Sequence, residues 1–316
     1  MIRAFDWRDV GLVRRLAEQG VCLDAETCYT RGWRSLQSAL LGYLAPAVAT
    51  QTFVWQGDGG AAIAQMEHRA NDDRARLLFL APALAATTGP AWEELIERLA
   101  AEAGERGAHN LIAHVDQDGA VFEALRRMGF AIYARQAVWR LTGPPTQAAN
   151  GDLPGLRSQV SADSWGIQVL YSNVAPRLVQ QVEAPPKAHG RGYVLEEDGE
   201  IVAYLYVARG PLGVWCEPFL HPQAYGRSAE VIASFVRLTG DGSERPVYFC
   251  VKSYQEWLDA PLAEAGFEPA SEQAVMVKRM AVRLAEMEPL PVAVLDQTGS
   301  RAEVTSPLVK TTRPGG

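Results

Sequence analysis

Apolar positions recur along this chain in two passes of the same order. The first pass opens on "QTFVWQGDGGAAIAQMEHRA", two apolar runs around a "GDGG" turn; the second opens on "GYVLEEDGEIVAYLYVARG", two runs around "EDGE". Asp-Gly between such runs is a strong hairpin signal, because the tight turn needs left-handed backbone. A third strand follows each hairpin, "RARLLFLAP" and "LGVWCEPFLHP", ending at Pro82 and Pro222. Each is followed by a helix. "PAWEELIERLAAEAGERG" places Trp92, Leu95, Ile96 and Leu99 on one helical stripe, with Pro90 suited to the first turn. In "SAEVIASFVRLTGDG", Ser228 is the expected N-cap and Gly240 the expected stop. Short strands "HNLIAHV" and "RPVYFCV" come next, then helices ending in Gly129-Phe130 and Gly266-Phe267, then the closing strands "QAVWRLT" and "QAVMVKRM".

Helical regions lead each pass: "WRDVGLVRRLAEQG" and "WRSLQSALLGYLA" in the first, "SADSWGIQVLYSNVAPRLVQQVEA" in the second. The shared order reads as a divergent internal duplication and disfavours two unrelated α/β domains. The Pro- and Gly-rich "LTGPPTQAANGDLPG" between the passes reads as a linker. The expected organisation is a first domain over 1–142, a linker over 143–156, a second domain over 157–285 and an aperiodic, flexible tail over 286–316. The fold class is α/β, a mixed sheet with helices in each of two tandem domains.

A length of 316 residues suits two domains of roughly 150 residues each. The formal net charge of -7 argues against nucleic acid or an anionic membrane as the main partner. The charged start "MIRAFDWRDVG" lacks the apolar core of a signal peptide, and no apolar run approaches a membrane span, so a soluble cytoplasmic protein is expected. Cys22, Cys28, Cys216 and Cys250 form no CxxC pair and have no histidine at ligand spacing. Buried thiols are expected, with no zinc site, no other metal and no disulfide framework.

The order of elements resembles, in tandem, the GNAT superfamily of GCN5-related N-acetyltransferases. The likeness rests on "LHPQAYGRSAEVI", on the helix ends "EALRRMGF" and "LAEAGF", on the closing strands and on the opening "IRAFDWRD", and covers all but the linker and tail. It implies two acyl-CoA N-acyltransferase folds. In each, the sheet splays between the fourth and fifth strands, and acyl-CoA lies in that gap. It also implies acetyl-CoA as co-substrate and a small amine as acceptor, in a monomer or a homodimer. Family members carry Gln/Arg-x-x-Gly-x-Gly/Ala before the third helix, where free amides and the helix dipole hold the pyrophosphate. In the second block, Gln223, Ala224, Tyr225, Gly226, Arg227 and Ser228 occupy this place, with "QAYGRS" and "YGRSAE" as two alignments. The first block offers "ATTGPA", with Thr87, Thr88, Gly89 and Ala91.

The family's acid is often a tyrosine on the last helix; Leu125 and Leu262 stand there instead. Its base is commonly a glutamate on the fourth strand. Glu217 is the second block's candidate for that role, an edge or solvent-facing carboxylate being the plain alternative. His114 on the fifth strand is either a catalytic group or a satisfied core histidine. Tyr254 either donates to substrate or caps the sheet. Glu67 and His68 are expected at a hairpin end in solvent, His221 in packing or capping, and Trp92, Trp139, Trp215 and Trp257 in core stripes. A catalytic N-acetyltransferase is the first expectation; a non-catalytic acyl-CoA-binding or scaffold protein is the second.

Overall fold

The computed structural model describes residues 1–32, 50–58, 60–70, 72–83, 90–143, 155–185, 192–239 and 245–280. The stretch "WRSLQSALLGYLA", most of the linker, Gly240, the loop with Thr87, Thr88 and Gly89, and the tail at 286–316 lie outside the described residues.

In the first half, β1 (Ile2–Ala4), α1 (Val10–Ala17), β2 (Val21–Cys22) and α2 (Ala25–Thr30) precede the hairpin β3 (Thr50–Gly57) and β4 (Gly60–His68). Then come β5 (Arg74–Ala81), α3 (Ala91–Glu105), β6 (Asn110–Asp116), α4 (Ala120–Arg127) and β7 (Ala131–Leu141). The second half repeats this with β8 (Leu156–Ser158), α5 (Ser164–Val174), α6 (Arg177–Gln180), β9 (Gly192–Glu197), β10 (Glu200–Arg209) and β11 (Val214–Leu220). It ends with α7 (Ser228–Thr239), β12 (Val247–Lys252), α8 (Asp259–Glu264) and β13 (Glu268–Arg279). The duplication reaches the first strands. Arg3 grips Asp9 through two hydrogen bonds at 2.5 and 2.6 Å, and Arg157 grips Asp163 at 2.8 and 2.9 Å.

Alternation on the strands buries both faces. Phe53, Trp55, Ala64, Met66 and Leu77 pack under α3, while Val54, Ile63 and Leu78 pack with Val13 and Ala17 of α1. Burying a Leu or Ile side chain contributes roughly 1.5–3 kcal/mol, so two covered faces favour mixed helices over a one-sided sheet. The Gly-Phe ends behave alike. Gly129 and Gly266 take left-handed backbone (φ 85° and 92°), where a side chain would be strained. Phe130 and Phe267 then donate their amides to Leu125 O and Leu262 O, closing each helix. Leu125 and Leu262 are fully buried, which accounts for leucine at both places.

All described strands belong to one sheet, ordered β1-β3-β4-β5-β6-β13-β7-β12-β11-β10-β9-β8, with β2 against β5. Only β5/β6 and β11/β12 pair in parallel among the described strands. The closing strands are exchanged: β6 pairs with β13 of the second half and β12 with β7 of the first. At the centre β7 and β13 pair antiparallel with Gln136 opposite Gln273, and Gln136 Nε2 donates to Gln273 Oε1 at 2.9 Å across a sequence separation of 137. The two buried glutamines are duplicates of one another, so a local two-fold axis runs between them. Helix α2 crosses with the strands. Its Ala25 and Tyr29 pack on Trp215, Tyr248 and Cys250 of the second half, and Val182 packs back on Ile112 and Tyr133 of the first.

Three expectations are corrected. Ser228 is not an N-cap: Pro222–Arg227 wind into a 3-10 turn capped by His221, and α7 continues from it without a break. Proline at the start of that turn favours winding there. Cys22 and Cys28 form a disulfide across the entrance to α2, whereas Cys216 and Cys250 are buried thiols as expected. Glu67 and His68 are buried, because Arg76 and the Asp72 carbonyl supply them with partners.

Each half leaves a strand edge open if the other is removed. Splitting the chain between Gly143 and Pro144 is therefore expected to give two fragments that form no compact monomer alone and that reassociate when mixed. Size exclusion and circular dichroism decide; a sharp, monomeric melt from either fragment alone would refute the interleaved pairing.

Candidate active site

A cavity of about 370 Å³ lies where the halves cross. The first half contributes Asp24 and Glu26 from the entry to α2, Glu67 from β4, Arg76 from β5 and His114 from β6. The second contributes Glu183, Tyr206 from β10, Glu217 and Phe219 from β11, and Lys252 from β12. His114 near the end of β6 and Lys252 at the end of β12 thus reach the same space, because the exchange places β6 and β12 on either side of β13 and β7.

Its charges are mostly matched. Arg76 donates to Glu67 Oε1 at 3.0 Å and lies 3.5 Å from Asp24 Oδ1 and 3.6 Å from Glu26 Oε2. Lys252 Nζ donates to Glu183 Oε1 at 2.7 Å, and the Tyr133 hydroxyl donates to the same oxygen at 2.7 Å. Burial raises the carboxyl of Glu183, but Lys252 and Tyr133 overcome it and hold the group below its ordinary range. Asp24 and Glu67 are likewise lowered against burial by Arg76. Glu26 and Glu217 go the other way. Burial lifts both, and the nearby cations Arg76 and Lys252 do not compensate. Trp215 Nε1 donates to Glu217 Oε1 at 3.0 Å, and among the described residues Glu217 has no ion pair.

His114 and Glu217 therefore meet in one cavity, and Glu217 is half-buried on an interior strand. Ala25 N donates to His114 Nδ1 at 3.0 Å. Burial drives the imidazole down to about 4, so it is neutral near pH 7 and its proton sits on Nε2. His114 is thus a donor toward the cavity. Tyr254 follows β12 on a turn over Ser253–Leu258, and its buried hydroxyl has no partner among the described residues. Burial raises that hydroxyl, in the field of Lys252, Glu183 and Glu217.

The two sheet gaps differ. β5 and β6 pair only at Arg74–Arg76, and β11 and β12 only at Val214–Cys216. In the first gap the chain's own backbone is laid in. Val21 and Cys22 pair with Leu80 and Phe79, Leu23 N donates to Leu78 O, and His114 N donates to Leu23 O, both at 2.8 Å. In the second gap Pro218 holds the place of Leu78, four residues past the first parallel pair. Its carbonyl accepts from Gln255 Nε2 at 2.5 Å, so one side chain crosses the opening.

Of the phosphate-loop residues, Gln223 to Arg227 lie in the 3-10 turn and Ser228 begins α7. Gln223 N donates to His221 Nδ1 at 3.4 Å, Ala224 N bonds His221 O and Tyr225 stacks on Trp257 at 3.8 Å. Arg227 pairs with Glu197 and Glu230. A Cβ on Gly226 meets nothing within 4 Å, so its backbone is open to approach. Ala91 opens α3 fully buried. Sequence reasoning had no means of finding Glu26, Glu183 and Lys252, since only the crossing of the halves brings them here. Among the described residues, no group of His, Cys, Asp or Glu is placed to hold a metal, and no helix is long and apolar enough to cross a membrane.

No protein-family model matches the chain, and no curated protein matches it. Solved structures do. A GCN5-related N-acetyltransferase from Sphaerobacter thermophilus is 14% identical over 88% of this chain and 95% of its own, at a TM-score of 0.57. A tandem GNAT protein from the clavulanic acid biosynthesis pathway is 16% identical over 88% and 98%, at 0.56. At such identities the likeness is one of fold.

A histidine whose folded value lies below its unfolded one is charged more readily in the unfolded chain. Its contribution is therefore complete above about pH 6.5 and is lost as pH falls toward about 4. Between pH 7 and pH 5 wild type is expected to lose about 2 kcal/mol more than His114→Gln, by urea melts at both values. Equal losses in the two proteins would show that His114 is not held neutral.

Proposed function

We propose that this chain, which has the tandem GNAT fold, is an N-acyltransferase that binds one acetyl-CoA or related acyl-CoA in its second half. The acceptor amine would sit in the central cavity. The observation that carries this reading is Glu217, a half-buried carboxyl with no ion pair among the described residues, on the strand that borders the second gap.

Only the second gap suits a pantetheine arm. Admitting one to the first would break a backbone ladder, whereas the second needs one rotation of Gln255. The phosphate end is assigned to Gln223–Ser228, where the Gly226 backbone is open to approach. Arg227 would exchange a glutamate partner for a phosphate. The loop with Thr87, Thr88 and Gly89, and Ala91, is left without this role.

Within the cavity, Glu217 takes the proton from the incoming ammonium; its raised carboxyl is the stronger base for it. His114 offers its Nε2 proton to an oxygen of the bound substrates. Tyr254 does not line the cavity and its hydroxyl is buried, so it is left without a catalytic role.

A second reading, acyl-CoA binding or scaffolding without turnover, is favoured by the Gln255 contact on Pro218 and by the core leucines at 125 and 262. Calorimetry with acetyl-CoA and steady-state kinetics separate the two. The expected result is one site per chain, and Glu217→Gln lowers kcat about 100-fold or more with little change in KM for acyl-CoA. Binding without turnover on any amine would install the second reading. Full activity in Glu217→Gln would remove the base assignment.

A further inference from the structure

Ion pairing inside the cavity leaves two carboxyls over. Lys252 is taken by Glu183, Arg74 by Asp72, Arg69 by Glu67 and Arg76 is shared among Asp24, Glu67 and Glu26. Among the described lining residues, these four are the cations. Glu217 is then unmatched, and Glu26 holds the longest share of Arg76. The two lie on either side of one side chain: Tyr206 is the cross-strand partner of Glu217 on β11, and its hydroxyl donates to Glu26 Oε2 at 3.3 Å. Burial raises both carboxyls; Asp24 and Glu67 raise Glu26 further, and Glu183 and Glu26 raise Glu217. An added cation would relieve that repulsion.

The walls suit such a guest. Tyr133, Tyr171, Tyr206 and Phe219 line the same space, and aromatic faces attract organic cations. A cavity of about 370 Å³ takes a small molecule and no more. The acid pair alone would mean little; a half-open cavity with aromatic walls and unmatched charge from both halves is a built site.

We infer that the cavity takes an acceptor with two positive charges, an alkyl diamine, with one ammonium at Glu217 of the second half and the other at Glu26 of the first. The first half, whose own gap is filled by residues 21–23, then supplies specificity to chemistry done in the second. The word acceptor rests on the acyl-transfer reading above; the binding of the dication does not.

Calorimetry on the full chain, without acyl-CoA and at about pH 8, tests this with three probes: 1,4-diaminobutane, butylamine and 1,4-butanediol. The diamine is expected to bind about tenfold or more tightly than butylamine, and the diol not at all. Glu26→Gln should bring the diamine down to butylamine and leave butylamine unchanged, while Glu26→Asp, which keeps the charge, restores part of the preference. Thermal melts of both variants check folding. Diamine and butylamine binding alike, or neither binding at millimolar concentration, would overturn the inference. Diamine preference without acyl transfer would leave it standing and remove the acyltransferase reading; transfer to monoamines with no diamine preference would do the reverse.

Discussion

The exchange of β7 and β13 is the constraint from which the rest follows. Each half ends its sheet on a strand of the other, and Gln136 and Gln273 meet where the two copies are related. A buried glutamine pair contributes only about 1 kcal/mol, but an unpaired one costs more, so the pair fixes register better than it adds stability. A slip of one residue would put both amides on the wrong face and orphan them. With the register fixed, α2 lies over the second half's sheet and Val182 over the first's. The cavity is therefore shared by construction.

Its polar lining is poor material for stability. Taking ions out of water costs several kcal/mol each, and replacing buried pairs with apolar side chains is often neutral or stabilising. Lys252 and Glu183 nevertheless sit on the sheet face with further hydrogen bonds from Tyr133 to Glu183. Arg76 alone faces three carboxylates. Such a network orients groups. Lys252 and Arg76 hold Glu183, Asp24 and Glu67 ionised and fixed, while Glu217 and Glu26 are left in a field that makes them stronger bases. Acids held down by a cation and acids raised by burial thus share one cavity.

How far the sequence spoke depended on the distance over which each feature is decided. Hairpins, the strand-ending prolines and the Gly-Phe helix ends are set by neighbours a few residues away, and the duplicate order of elements was legible from them. Glu217 was legible as a charged residue in an apolar strand, though not its surroundings, since Lys252 and Tyr206 come from other strands. Glu67 and His68 read as solvent-exposed because Arg76, which neutralises Glu67, approaches only through the β4–β5 register. The Cys22–Cys28 bond was missed because spacing does not show that β2 and α2 fold back on each other. The filling of the first gap was invisible for the same reason: "VCLD" has no pattern that marks it as a strand laid between two others.

That filling gives the duplication a physical logic. Two equal gaps would each present unpaired strand edges, and buried backbone groups do not stay unpaired. The first half solves this with backbone: Leu23 satisfies Leu78 O on one side and His114 N on the other, and Ala25 N then fixes His114 in the tautomer that donates toward the cavity. The second half solves it with proline, which has no amide to satisfy, and with Gln255 on the remaining carbonyl. A backbone ladder opens only with local unfolding, whereas a side chain leaves by rotation. Divergence from a common pattern has thus closed one gap with backbone and the other with a side chain. The residues that close the first gap, 21 to 25, lead directly into Glu26. The same short segment that fills one copy's gap delivers a carboxylate to the cavity the two copies share.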